Sequence, residues 1–147
     1  MESLFTDEYF MRKALDEAAA ALEEDEIPIG AVVVHNQKII GKGHNQTERL
    51  KDVTAHAEMV AITAASSYLD SKFLEECTLY VTVEPCCMCA GAVKWARLGR
   101  VVYGATEPKF GYQTVSPAIV GVKTKMEGGL LAEECALLMK AFFASKR

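Results

Sequence analysis

The 147-residue sequence predicts an α/β fold, a three-layer α/β/α sandwich with helices on both faces of a central sheet. Two observations carry this. Segments with helical spacing of apolar residues alternate along the chain with short β-branched runs, in the order α-β-β-α-β-α-β-α. There is also no internal repeat, linker or low-complexity stretch, so the elements belong to one domain spanning 1–147.

Met11, Leu15, Ala18 and Leu22 recur at helical spacing, so residues 7–24 read as an amphipathic first helix. Pro28 breaks it, and "IGAVVV" (29–34) has the composition of a buried strand. "HNQK" supplies turn residues and "KIIGKGHN" the returning arm of a hairpin. A polar loop leads to "TAHAEMVAITAASS", a helix with Thr54 as its expected N-cap. "CTLYVTV" alternates as a strand. Pro85 then stands at an expected first helical position, with "CCMCAGAVKWARL" as the helix behind it. "RVVYGA" is a further strand. Residues 106–129, rich in Gly, Pro, Thr and Lys, read as a long loop with short elements in it. Helical spacing returns at Leu131, Cys135, Leu138 and Phe142. The hairpin is expected to be antiparallel and the later strands parallel, joined by crossover helices.

Half the residues are apolar and 24% are charged, the profile of a compact protein. No window approaches the run of about 18 apolar residues a membrane span needs. The opening "MESLFTDEYF" has no basic stretch leading into an apolar run, so no membrane association and a cytoplasmic address are expected. The net charge of −4 argues against indiscriminate nucleic-acid affinity but does not bear on a local basic patch. Lys94, Arg97 and Arg100 form one basic stretch, with Lys109, Lys123, Lys125, Lys146 and Arg147 elsewhere. They read either as an RNA-binding surface or as scattered solvated charge. The acidic run Glu23–Glu26 is expected to be a solvated helix end.

Three of five cysteines fall in "PCCMC". With no export signal, a cluster this tight points to metal or catalysis rather than disulfides. Cys86 and Cys89, three apart at a helix start, share one face and can converge on one ion. The positive end of the helix favours thiolate, the form that binds metal. His56 and Glu58 lie at the start of another helix. Two thiolates and a neutral imidazole suit zinc, leaving a fourth tetrahedral position for water. Glu58, free of the metal, would then move the water's proton. A purely structural zinc module would need four closed ligands, and only three are offered. Cys87, about 100° round the helix from Cys86, is expected to pack or to meet a loop. Cys77 and Cys135 read as small core residues, and His35 and His44 are given no role.

With "HAE" (56–58) and "PCCMC" (85–89) the chain resembles the cytidine-deaminase-like zinc deaminases, whose signature is H-x-E…P-C-x-x-C. "IPIGAVVV", "GHNQ", "DVTAHAEMVAI", "LYVTVEPCCMCAGA", "GRVVYGA" and "EGGLLAEECALLMKAFF" extend it over nearly the whole chain, where it resembles bacterial tRNA-specific adenosine deaminases. The resemblance implies a mixed sheet of about five strands and one zinc per subunit, held by His56, Cys86 and Cys89, with Glu58 as proton shuttle. It implies substrate contacts from Asn45, Ile29, the backbone around Ala57, Pro85 and, in the last helix, Phe143. Asn45 also reads as a simple turn former. The implied reaction converts adenosine to inosine at the wobble position of a tRNA anticodon by zinc-activated water, the target base being flipped from a single-stranded loop and bound by a homodimer. After the fourth strand, Lys109 and Gly111 fit the family pattern, while Phe110, Tyr112 and Gln113 replace small residues. "MCAGAVKWARL" carries a Trp-Ala-Arg element similar to that of guanine deaminases. Deamination of a free base or nucleoside, such as guanine, cytosine or cytidine, is therefore the alternative.

Overall fold

The computed structural model describes residues 5–146; Met1–Leu4 of the opening segment and Arg147 of the basic set lie outside the described residues. Helix α1 (Asp7–Glu23) is followed by the hairpin β1 (Gly30–His35) and β2 (Lys38–His44), then a short α2 (Thr47–Leu50) and α3 (Ala57–Leu69). Strand β3 (Thr78–Val83), α4 (Cys87–Ala96) and β4 (Arg100–Ala105) come next. Two 3₁₀ turns, a fifth strand β5 (Lys125–Gly128) and α5 (Ala132–Ser145) complete the chain. Asn36 and Gln37 close the hairpin at φ 50° and 64°, the left-handed pair that a two-residue turn requires.

The sheet runs β2-β1-β3-β4-β5. β1 is antiparallel to both β2 and β3, whereas β3, β4 and β5 are parallel, so the expected mixed sheet of five strands is present. Period-two alternation divides the buried strand residues between two cores. Ala31, Val33, Leu79, Val81, Val101 and Tyr103 pack with α3 and α4, and Val32, Val34, Tyr80 and Val102 pack with α1. Cys135 of α5 joins the second group, which makes three layers.

β5 and the elements around it were not specified by the loop reading of 106–129. Its sequence, Lys-Met-Glu-Gly, has no β-branched residue. It is an edge strand whose register is held by backbone pairing with β4. α2 was likewise hidden inside a polar loop. Its first turn is capped from a distance by Glu26, whose carboxylate accepts from the backbone N–H groups of Glu48 (3.1 Å) and Arg49 (2.7 Å). Glu26 is 1% exposed, so the acidic run is not wholly solvated. No helix of the described residues is long and apolar enough to cross a membrane.

One end of the sheet collects the chain segments that matter. Gly30 pairs with His44, and Val83 pairs with Ala105. Because β1 is antiparallel to its neighbours, its start lies beside the finishing ends of β2, β3 and β4. Residues 29, 45, 84–86 and 106–111 all emerge there. The close fit of α3 on β2 fixes the start of α3 at the same end. Ala57, Ala61 and Ala65 lie flat on Gly41 and Gly43, where a methyl on either glycine would run into the α3 backbone.

Candidate active site

α3 and α4 bring their N-termini together. His56 is the N-cap of α3 and Cys86 the N-cap of α4, both with extended φ/ψ and neither with a side-chain cap. The expected caps therefore shift. Thr54 lies two residues before the α3 cap and donates its hydroxyl to Asp52 instead (2.7 Å), and Pro85 stands just before the N-cap rather than inside α4. The physical reason is shared: the cap positions hold the side chains that turn towards each other instead of towards their own helix ends.

His56 Nδ1 lies 3.6 Å from Cys86 Sγ and 3.5 Å from Cys89 Sγ, and the three ligand atoms fall within 4.8 Å of one another. A tetrahedral ion at usual Zn–N and Zn–S bond lengths separates nitrogen from sulfur by roughly 3.5 Å, so the donor set fits zinc in both chemistry and spacing. Cys89 is fully buried, while His56 and Cys86 are partly so, leaving one side of the triangle open.

The electrostatics follow from this crowding. The hydrogen bond from Cys89, then that from His56, lowers Cys86 to about 4, a thiolate at neutral pH. Cys89, beside that thiolate, is pushed up and keeps its proton until a metal replaces it. Hydrogen bonding to Cys86 raises His56. Glu58, 4% exposed, is pushed up to about 7 by burial, with its own backbone N–H and His56 pulling the other way. A carboxyl that takes and gives a proton near neutral pH is the kind that general acid–base chemistry uses.

The other expected residues divide. Ile29 and Asn45 are joined at the sheet end by the Asn45 N–H to Ile29 C=O bond (3.1 Å), and Asn45 is buried. Its Oδ1 also accepts from the Thr47 N–H at 3.4 Å, so it serves the turn as well. Ala57 is wholly buried at the first turn of α3. The Pro85 carbonyl accepts from the Tyr112 N–H (2.8 Å). Phe143, 46% exposed, stays apart from the metal cluster: with Val83, Glu107, Met139 and Lys140 it lines a groove of about 600 Å³ on the α5 side. Cys87 is exposed, which corrects the packing half of its expected packing or loop contact, whereas Cys77 and Cys135 are buried as expected. The basic stretch stands at the far end of α4 from the cysteines, and Arg100 is committed to Asp7 (2.6 Å) and Glu127 (2.8 Å).

Glu84 escaped the sequence reading. Buried at the end of β3, it accepts from the N–H of Glu107 (3.0 Å), the N–H of Gln113 (3.2 Å) and the Gln113 side chain (3.3 Å). It thereby folds segment 107–113 against the start of α4, where Gly111 pairs with Cys86. The available signal was an acid closing an apolar strand, "LYVTVEP".

A family model described as the cytidine and deoxycytidylate deaminase zinc-binding region matches residues 5–105. The chain belongs to that family. A tRNA-specific adenosine deaminase of Streptococcus pyogenes serotype M18 is 43% identical to this deaminase-family chain over 150 residues, covering 99% of it and 94% of the relative. A solved structure from work on A-to-I editing by tRNA:A34 deaminases superposes with a TM-score of 0.82 at 41% identity, covering 88% of this chain and 98% of that one. A guanine deaminase of Bacillus subtilis is more distant, at 31% identity and a TM-score of 0.69, covering 97% and 94%.

Proposed function

We propose that the chain hydrolyses adenosine to inosine at the wobble position of a tRNA anticodon, as a homodimer in the cytoplasm, where such tRNA is available. The observation that carries the chemistry is the triangle of His56, Cys86 and Cys89 with buried Glu58 two residues from His56. The substrate assignment is supported by the similarity to tRNA-acting deaminases at 41–43% identity, above that to the guanine deaminase.

Zinc held by His56 Nδ1 and the two sulfurs would supply Lewis acidity that brings a bound water's pKa to near 7. Glu58 accepts one proton of the attacking water and delivers it to N1 of the ring, then takes the second proton from the oxygen now on C6 and delivers it to the departing amine. Water oxygen bonds to C6, the C6–N bond breaks, and ammonia leaves. Burial of Glu58 matches this double duty, because a carboxyl at about 7 binds and releases the proton with little penalty. Ile29, Asn45 and Pro85 bound the base at the sheet end, and Phe143 contacts the RNA outside it. A base from an anticodon loop is already unpaired, so entry costs little unstacking.

Glu58→Gln tests the proton role. The variant should fold and retain one zinc while turnover falls about 10²–10⁴-fold. Turnover equal to wild type would remove Glu58 from the mechanism. The substrate is tested by ammonia release from an anticodon stem-loop with wobble adenosine and from free guanine, cytosine, cytidine and adenosine. Release from a free base without release from the stem-loop would overturn the tRNA reading.

A further inference from the structure

Phe110 is a large aromatic side chain left 71% exposed next to the metal cluster. Its neighbour Gly111 pairs through the backbone with Cys86, a member of that cluster. The turn beneath it is held by successive backbone N–H groups. Lys109 and Phe110 donate their N–H groups to Glu107 Oε1 (2.8 and 3.3 Å), and the Gly111 N–H goes to the Glu107 carbonyl (3.0 Å). Glu107 is itself tied by its N–H to the buried Glu84 carboxylate (3.0 Å). On the other side Tyr112 is buried and bonded to Pro85, which pins the exit of the turn. The ring therefore stands in water on a braced backbone while the next two residues, Gly111 and Tyr112, are buried.

Such an arrangement suits a flat partner. Exposing a ring to water gains nothing for folding, whereas an aromatic on a fixed turn gives up little freedom when a partner covers it. Bases splayed out of a single-stranded loop are bound by stacking on aromatic faces, irrespective of sequence. Lys109, exposed beside Phe110, offers a cation to the adjoining phosphate. We propose that Phe110 is a stacking platform for an unpaired RNA base flanking the target nucleotide. This rests on the tRNA reading above. The flanking base lies over Phe110 while the target base enters beside Cys86, and the stack sets the register of the loop.

The test uses the zinc-loaded enzyme and an anticodon stem-loop with wobble adenosine. Phe110→Ala should raise KM about tenfold, within roughly 5- to 150-fold, with kcat, zinc content and melting midpoint unchanged. Phe110→Trp should restore KM. Replacing the flanking nucleotide by an abasic residue should weaken wild type by a similar factor and Phe110→Ala no further. Wild-type KM in Phe110→Ala, with the stem-loop still deaminated, would overturn the platform and leave the tRNA reading standing. A loss that appears equally on free guanine would overturn it in favour of a cover over a free base. A wild-type enzyme inactive on the stem-loop would remove the tRNA reading and the platform together.

Discussion

Cys86, at the N-cap of α4, turns its sulfur towards His56, whereas the next residue, Cys87, is exposed. One peptide unit thus separates a sulfur positioned to bind metal from a solvent thiol. Cys86→Ala should lower zinc affinity by more than about 100-fold, beyond what loss of an outer-shell partner does. Cys87→Ala should retain both zinc and activity, with metal analysis after dialysis as the readout. Loss of zinc from the Cys87 variant would contradict the geometry. The candidate metal residues were legible in the sequence because Cys86 and Cys89 stand three apart at a helix start and, with "HAE", fit the zinc-deaminase signature. The carboxylates of Glu26 and Glu84 were not, because their partners are backbone N–H groups 22–29 residues away and leave no local pattern.

At the scale of elements, the periodic segments folded as read, since apolar spacing reports which face meets a neighbour. α2 and β5 were missed for a common reason. Each has four residues, and each is held by something elsewhere in the chain, α2 by Glu26 and β5 by β4. Glu26→Gln tests that dependence. A glutamine offers one acceptor where two N–H groups converge, so stability should fall by about 1–3 kcal/mol in chemical denaturation. Zinc content should persist, because α3 is seated independently on Gly41 and Gly43. If α2 formed on its own propensity, the variant would match wild type.

Over the whole molecule, Asp7 and Arg100 join α1 to β4, with the Tyr80 hydroxyl donating to Asp7 at 2.7 Å. The Arg100 guanidinium holds the Asp7 carboxyl below its ordinary 3.8. A depressed carboxylate stabilises the fold above its unfolded value, and that contribution disappears as pH falls through the folded one. With the Asp7 side chain 42% exposed, solvent screening limits the effect to about 0.5–1 kcal/mol. Asp7→Asn should be less stable than wild type by that amount at pH 7, and the gap should close below about pH 3.8. A gap independent of pH would assign the loss to packing. At the opposite end of the sheet, Glu84 grips the 107–113 turn by two main-chain amides and one side chain. Main-chain amides belong to every residue, so the grip is indifferent to what stands at 109 and 110. Gly111 is different, because a methyl there would strike the Glu84 carboxylate. The fold thus keeps an exchangeable tip on a permanent mount: positions 109 and 110 can change without loosening the turn that carries them.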